Sequence, residues 1–123
     1  MFEYIEAFSG FSVDDIDQAK KFYAETLGLR ISEEYGLVTL HLAGGRDTLI
    51  YPSASHAPAG YTMLNFRVDN IEAAVDELVG RGVSFQRYAG MDQDDRAINR
   101  GGGPFIAWFT DPAGNILSVL QNR

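Results

Sequence analysis

The chain has 123 residues, 46% of them apolar, no cysteine, and a formal net charge of −7 from 10 basic against 17 acidic side chains. That is apolar material for a domain core that needs no disulfide or structural metal, and the missing thiol excludes disulfides, thiolate metal sites and a cysteine nucleophile. The basic residues Arg30, Arg46, Arg67, Arg81, Arg87, Arg96 and Arg100 are scattered without a run, which argues against nucleic acid as a partner, and the acidic balance favours a cationic over an anionic ligand.

Met1–Phe8 carries Glu3 and Glu6, with neither a basic start nor a long apolar run, so it does not read as a signal peptide. No stretch approaches the roughly 18 apolar residues of a membrane span, and the expected location is the cytoplasm. The first strand ends at Val13. Asp15 then offers a side-chain oxygen as N-cap, and Ile16, Ala19, Phe22 and Tyr23 form the apolar stripe of a helix that stops at the glycine of Leu27–Leu29. Three short strands are expected next, at Arg30–Glu34, Leu37–Leu42 and Thr48–Tyr51, with turns at Gly36 and Ala43–Gly45.

The chain then repeats itself. Phe11–Tyr23 and Phe66–Leu78 align without gaps at an offset of 55, matching Phe11/Phe66, Val13/Val68, Asp14/Asp69, Ile16/Ile71 and Ala19/Ala74. Asn70 takes the N-cap position, Ile71, Ala74, Val75 and Leu78 form the second stripe, and Gly80–Gly82 ends it. Strands are expected at Ser84–Tyr88, Phe105–Phe109 and Ile116–Leu120, the last two joined by a turn in which Pro112 sets φ and Gly114 accepts a positive one. Ala89–Gly103, rich in Gly, Asp and Arg, reads as a mobile surface loop. The expected organisation is module 1 over residues 1–52, a linker over 53–60 and module 2 over 61–123, each module β-α-β-β-β.

With its opening FSVDDIDQAKKFYAETLGL and closing FTDPAGNILSVLQ, the chain resembles the vicinal oxygen chelate superfamily, the glyoxalase, bleomycin-resistance and extradiol-dioxygenase group. The resemblance spans essentially the whole chain. It implies an α+β fold of two tandem βαβββ modules whose curved mixed sheets form a cup, and a homodimer in which the partner chain completes each cup. Whether the modules pair swapped or side by side stays open.

The resemblance also implies where a metal would sit. Metal-dependent relatives carry His, Gln or Glu at the start of each module's first strand and Glu in each last strand; the matching positions here are Phe8, Tyr61, Leu49 and Ser118. A divalent ion needs three or four converging N or O donors, and these four side chains do not supply them. No metal and no other cofactor are expected, so the reading leans away from an enzyme. Of the two histidines, His41 has cup-facing parity and His56 lies in the linker. His41 is first a polar lining residue and second a candidate general base. Asp92–Asp95 lacks the Gly and the terminal Glu of an EF-hand loop, and Gly101–Gly103 leads into a strand rather than a phosphate-binding helix. Fosfomycin-resistance relatives place a metal and polar side chains where this chain has Ile98, Gly102, Ile106 and Trp108.

Period-two alternation turns Phe11 and Val13 toward the helix and leaves Phe8, Gly10 and Ser12 on the cup side. In module 2 it turns Phe66 and Val68 toward the helix and leaves Tyr61, Met63, Asn65 and Arg67 opposite. The candidate ligand-binding residues are Phe8, Thr39, His41, Leu49, Tyr51, Tyr61, Met63, Asn65, Ile106, Trp108 and Ser118, with Arg100 (and Arg96 beside it) closing over the mouth. Such a wall suits a flat, apolar ligand held by ring stacking. Trp108, the only tryptophan, is the strongest of them, because the matching position touches ligand in several relatives. The resulting reading is a metal-free small-molecule binder, most like the bleomycin-resistance branch, which sequesters a drug. The alternatives are an enzyme of the same superfamily with His41 as acid/base or an unrecognised metal site, and a relative whose cup is packed shut.

Overall fold

A computed structural model describes residues 1–123, which divide into two compact units, Met1–His56 and Ala57–Arg123. The division falls inside the segment expected to link the modules; Ser53 still donates its N–H to Val13 O at 2.9 Å.

In the first unit β1 (Ser9–Val13) is followed by α1 (Ile16–Lys21), β2 (Arg30–Glu34), β3 (Leu37–Leu42) and β4 (Arg46–Pro52). Asp15 caps α1, its carboxylate accepting from Asp17 N at 3.0 Å and Gln18 N at 3.1 Å. The helix expected as one piece changes pitch: Phe22–Thr26 is a π-helical turn, and it brings Tyr23 to full burial against Phe11, with ring centroids 6.1 Å apart. The sheet order is β1-β4-β3-β2, with β1 parallel to β4 and the other neighbours antiparallel. Phe11, Val13, Val38, Leu40, Thr48 and Ile50 are buried on the side where α1 packs. The β2–β3 hairpin turns on Tyr35 and Gly36, both at positive φ (56° and 75°), the pattern of a type I′ turn.

The second unit comprises β5 (Thr62–Arg67), α2 (Ile71–Gly80), β6 (Phe105–Thr110) and β7 (Ile116–Gln121). Asn70 caps α2 by accepting from Ala73 N at 3.0 Å. The three-stranded sheet runs β5-β7-β6, with β5 parallel and β6 antiparallel to β7. Ile71 and Val75 of α2 and Ala107, Phe109, Leu117 and Val119 of the sheet are buried, and α2 packs on β6 and β7. In the β6–β7 turn Gly114 sits at φ 84°, where a Cβ would lie 3.2 Å from Pro58 Cγ. The Asp111 carboxylate braces that turn, accepting from Ala113 N, Asn115 N and Asn115 Nδ2 at 2.9–3.0 Å.

Two expectations are corrected here. Ser84–Tyr88 is not a strand; it touches β6 through the isolated bridge Phe85↔Phe109 and the bond from Gln86 N to Trp108 O at 2.8 Å. The reason is Gln93. Its amide takes Tyr88 N–H at 2.8 Å and donates to Gln86 O at 2.9 Å and Ala97 O at 2.8 Å, so a side chain occupies backbone groups that a ladder would have used. For the same reason Ala89–Gly103 is not a loose loop: Ala97 and Ile98 are buried, and Asn99 bridges to Ile106.

Candidate functional site

Each sheet has one face covered by its own helix and one open face, and nearly all the candidate residues lie on the open faces. In the first unit the register sets Gly10 beside Leu49 and Leu49 beside Thr39, with Ser12 beside Tyr51. Phe8 precedes β1 and is 59% exposed; Tyr51 is 42% exposed. The far end of the face is polar, where His41 lies between Arg30 of β2 and Asp47 of β4. His41 Nε2 is 2.8 Å from Ser32 Oγ, and its Nδ1 is 3.2 Å from Asp47 Oδ1. His56 Nδ1 lies 2.6 Å from Ser12 Oγ, so the expected linker residue also reaches this face.

In the second unit Asn65, Ser118 and Trp108 stand in one row across β5, β7 and β6, and Arg67, Leu120 and Ile106 in the next. Ser118 is fully buried between its neighbours and donates to Asn65 Oδ1 at 2.6 Å. A register shift between Thr62 and Leu64 interrupts β5, so Thr62, rather than Met63 or Tyr61, is the residue paired with Ile116. Counting back from Phe66 by twos therefore loses its meaning at Met63. Tyr61 lies before the strand and is 68% exposed.

Arg100 requires a correction. Asn99 pairs with Ile106 on the open face, which turns Arg100 to the α2 side. There it donates to Glu72 at 2.7 Å and to Asp94 at 3.0 Å, and its guanidinium covers the Phe105 ring at 4.7 Å. Arg96 is likewise held by both carboxylate oxygens of Asp76, at 2.9 and 3.1 Å. Neither arginine is free to close a mouth. The Arg100 hydrogen bond holds Glu72 below the usual carboxylate range, and the Arg96 hydrogen bond does the same for Asp76. For Asp94, desolvation is the largest effect and pushes upward, but the bonds from Ile98 N–H, Arg100 and Arg96 N–H together outweigh it and leave the group lowered.

Tyr88 was not singled out from the sequence. Its ring stands edge-on to Trp108, with centroids 5.5 Å apart and planes at 78°, so the indole is buttressed by a second ring. The signal was the alternation itself: with Phe85 against Phe109 on the helix side, Gln86 and Tyr88 have the parity of the open face. A shallow hollow of about 260 Å³ lies at the ends of β5 and β7, lined by Arg67, Val68, Asp69, Gln121 and Asn122. No group of three or more His, Asp or Glu side chains is placed to share a metal ion, and Phe8, Leu49, Tyr61 and Ser118 contribute no carboxylate or imidazole. Those four positions do not supply the donors a divalent ion needs.

The model of the Glyoxalase/Bleomycin resistance protein/Dioxygenase superfamily matches residues 5–119. The chain belongs to that superfamily. Among curated proteins it is similar to the mitochondrial methylmalonyl-CoA epimerase of Mus musculus, 28% identical over 127 residues that cover 89% of this chain and 68% of the epimerase. Among solved structures it resembles the antibiotic binding protein TnmS3 from Streptomyces sp. CB03234, with TM-score 0.71, 22% identity and coverage of 99% of this chain and all of that one. It also resembles a glyoxalase family protein from Enterococcus faecalis, with TM-score 0.68, 22% identity and coverage of 98% and 99%. At these identities the structures establish the α+β fold of the superfamily. No helix is long and apolar enough to cross a membrane.

Proposed function

We propose that this superfamily member binds a small, flat, largely apolar molecule without a metal ion, and that sequestration of a cationic antibiotic is its role. The observation that carries the reading is that each unit leaves aromatic side chains uncovered: Phe8 and Tyr51 are exposed in the first, and in the second Tyr61 is exposed and Trp108 is braced by Tyr88 on the open face of its sheet. Stacked rings contribute about 0.5–1.5 kcal/mol per pair beyond area burial, and an indole is the best aromatic partner for a cation. The fold shared with an antibiotic binding protein supports the same reading, as does the net charge of −7. A homodimer in which a second copy completes the open faces is the expected assembly.

The test is titration of Trp108 emission with planar aromatic cations, each recovered and weighed afterwards. Binding quenches or shifts the emission and returns the ligand intact. Trp108→Leu, with calorimetry replacing fluorescence, weakens affinity about 2- to 10-fold, the stacking increment above. No response from any planar ligand, or stoichiometric metal in chelator-free protein, overturns the reading.

A second reading is an enzyme of the superfamily, favoured by the similarity to an epimerase and by the two-sided hydrogen bonding of His41, the acid/base it would use. Under that reading His41→Ala loses about 10²–10⁴ in rate; under the first, affinity is nearly unchanged.

A further inference from the structure

We propose that Ser32, His41 and Asp47 form a hydrolytic relay on the open face of the first unit, with a short carboxylic ester as its substrate class. Its three members lie on adjacent strands: Ser32 on β2, His41 on β3 and Asp47 on β4. Antiparallel register sets His41 directly opposite Arg30 on one side and Asp47 on the other, and Ser32 is the diagonal neighbour two residues along from Arg30. The order of contacts is Ser32 Oγ to His41 Nε2 at 2.8 Å, then His41 Nδ1 to Asp47 Oδ1 at 3.2 Å.

Hydrogen-bond chemistry assigns the protons. An ionised carboxylate only accepts, so His41 Nδ1 carries the hydrogen and donates it to Asp47. The neutral ring then has its lone pair on Nε2, where it accepts from the Ser32 hydroxyl. That is the tautomer a general base for a serine nucleophile requires. Asp47 is the positioning residue. Arg30 stands opposite His41 in the register and is exposed, which makes it the candidate cation for the carbonyl oxygen as that atom gains charge.

Ser32 Oγ attacks the ester carbonyl and forms an O–C bond while its proton passes to His41 Nε2. The ester C–O bond breaks, and the departing alkoxide takes that proton. Water, deprotonated by the same nitrogen, then cleaves the acyl-serine, releasing the acid and restoring the hydroxyl. No oxidant, metal or cofactor enters. The side chain of Asp47 is half exposed and that of His41 about a quarter exposed, so water screens the relay and turnover is slow. The relay uses none of the aromatic side chains proposed above, and neither reading depends on the other.

The experiment is labelling of the intact chain with an ethoxy fluorophosphonate, followed by intact-mass measurement and peptide mapping. An activated serine gains one phosphonyl group as the P–F bond breaks and fluoride leaves. The expected result is a single label on Ser32. It is abolished in Ser32→Ala and slowed at least ~10²-fold in His41→Ala, the share of a general base. In Asp47→Asn it is slowed and in Asp47→Glu largely restored, with thermal midpoints unchanged across the set, a pattern that a merely structural carboxylate would not produce. No label, label on Ser12 or any other residue, or an unchanged rate in His41→Ala overturns the proposal. The Trp108 titration is read separately and is untouched by that failure.

Discussion

Gln93→Ala is expected to be the most informative single truncation outside the apolar core. The amide of Gln93 makes three hydrogen bonds, to Tyr88 N, Gln86 O and Ala97 O, all at 2.8–2.9 Å. A typical intramolecular bond contributes about 0.5–1.5 kcal/mol net, and a donor or acceptor stranded in the interior costs more. Gln93 is half-buried, so water reaches part of what the truncation uncovers, and the three bonds together suggest a loss of ~2–3 kcal/mol. The assay is equilibrium urea unfolding followed by far-ultraviolet circular dichroism and Trp108 emission, with an unchanged m-value confirming a pure stability effect. Because the strap also holds Tyr88 against Trp108, the native emission of the variant shifts before any denaturant is added. Gln93→Glu keeps the acceptor for Tyr88 N–H but sets a carboxylate against two carbonyls, so it loses at least as much as the alanine variant. A change below ~0.5 kcal/mol for either variant, within the range of an ordinary surface substitution, would refute the view that a side chain stands in for the missing strand.

Asp111→Ala removes three acceptor contacts from the β6–β7 turn and lowers stability by about 2–3 kcal/mol in the same urea assay; a neutral result means that the turn closes without the carboxylate. Tyr35→Asn relieves a bulky residue that sits at φ 56° and is 91% exposed, and it raises stability by ~0.5–1 kcal/mol in differential scanning calorimetry, because asparagine tolerates that conformation; a lower midpoint would mean that the side chain contributes more than its exposure implies. Glu72, Asp76 and Asp94 all have folded-state pKa values below their ordinary ones. The unfolded chain therefore binds more protons as the medium acidifies, and the stability these groups contribute is fully present above about pH 5 and lost as pH falls through the lowered values. Arg100→Gln removes the Arg100 hydrogen bonds behind two of those shifts, so its stability falls less steeply below pH 4 than that of the parent; parallel acid curves would count against it.

The repeat, the two helix caps at Asp15 and Asn70, the strands Arg30–Glu34 and Leu37–Leu42 and the β6–β7 turn are all written in local residue chemistry. Each depends on neighbours within a few positions, and alternation then separates helix-facing Val38, Leu40 and Ile50 from open-face Thr39, His41 and Leu49. Alternation fails where the chain departs from a regular ladder. The shift at Thr62/Leu64 resets parity around Met63, and the bridge from Asn99 to Ile106 turns Arg100 toward the acidic face of α2. Those outcomes depend on which groups of other elements come within bonding distance; the Gln93 strap, whose partners lie 4 to 7 residues away on either side, depends on how its own segment folds back on itself. Ser32 and Asp47 were invisible for the same reason: nothing in their local sequence marks them, and only antiparallel register across three strands brings both to His41. Local spacing decides which elements form and which face is apolar. Long-range pairing decides which side chains meet, because a one-residue change of register moves every side chain to the other face.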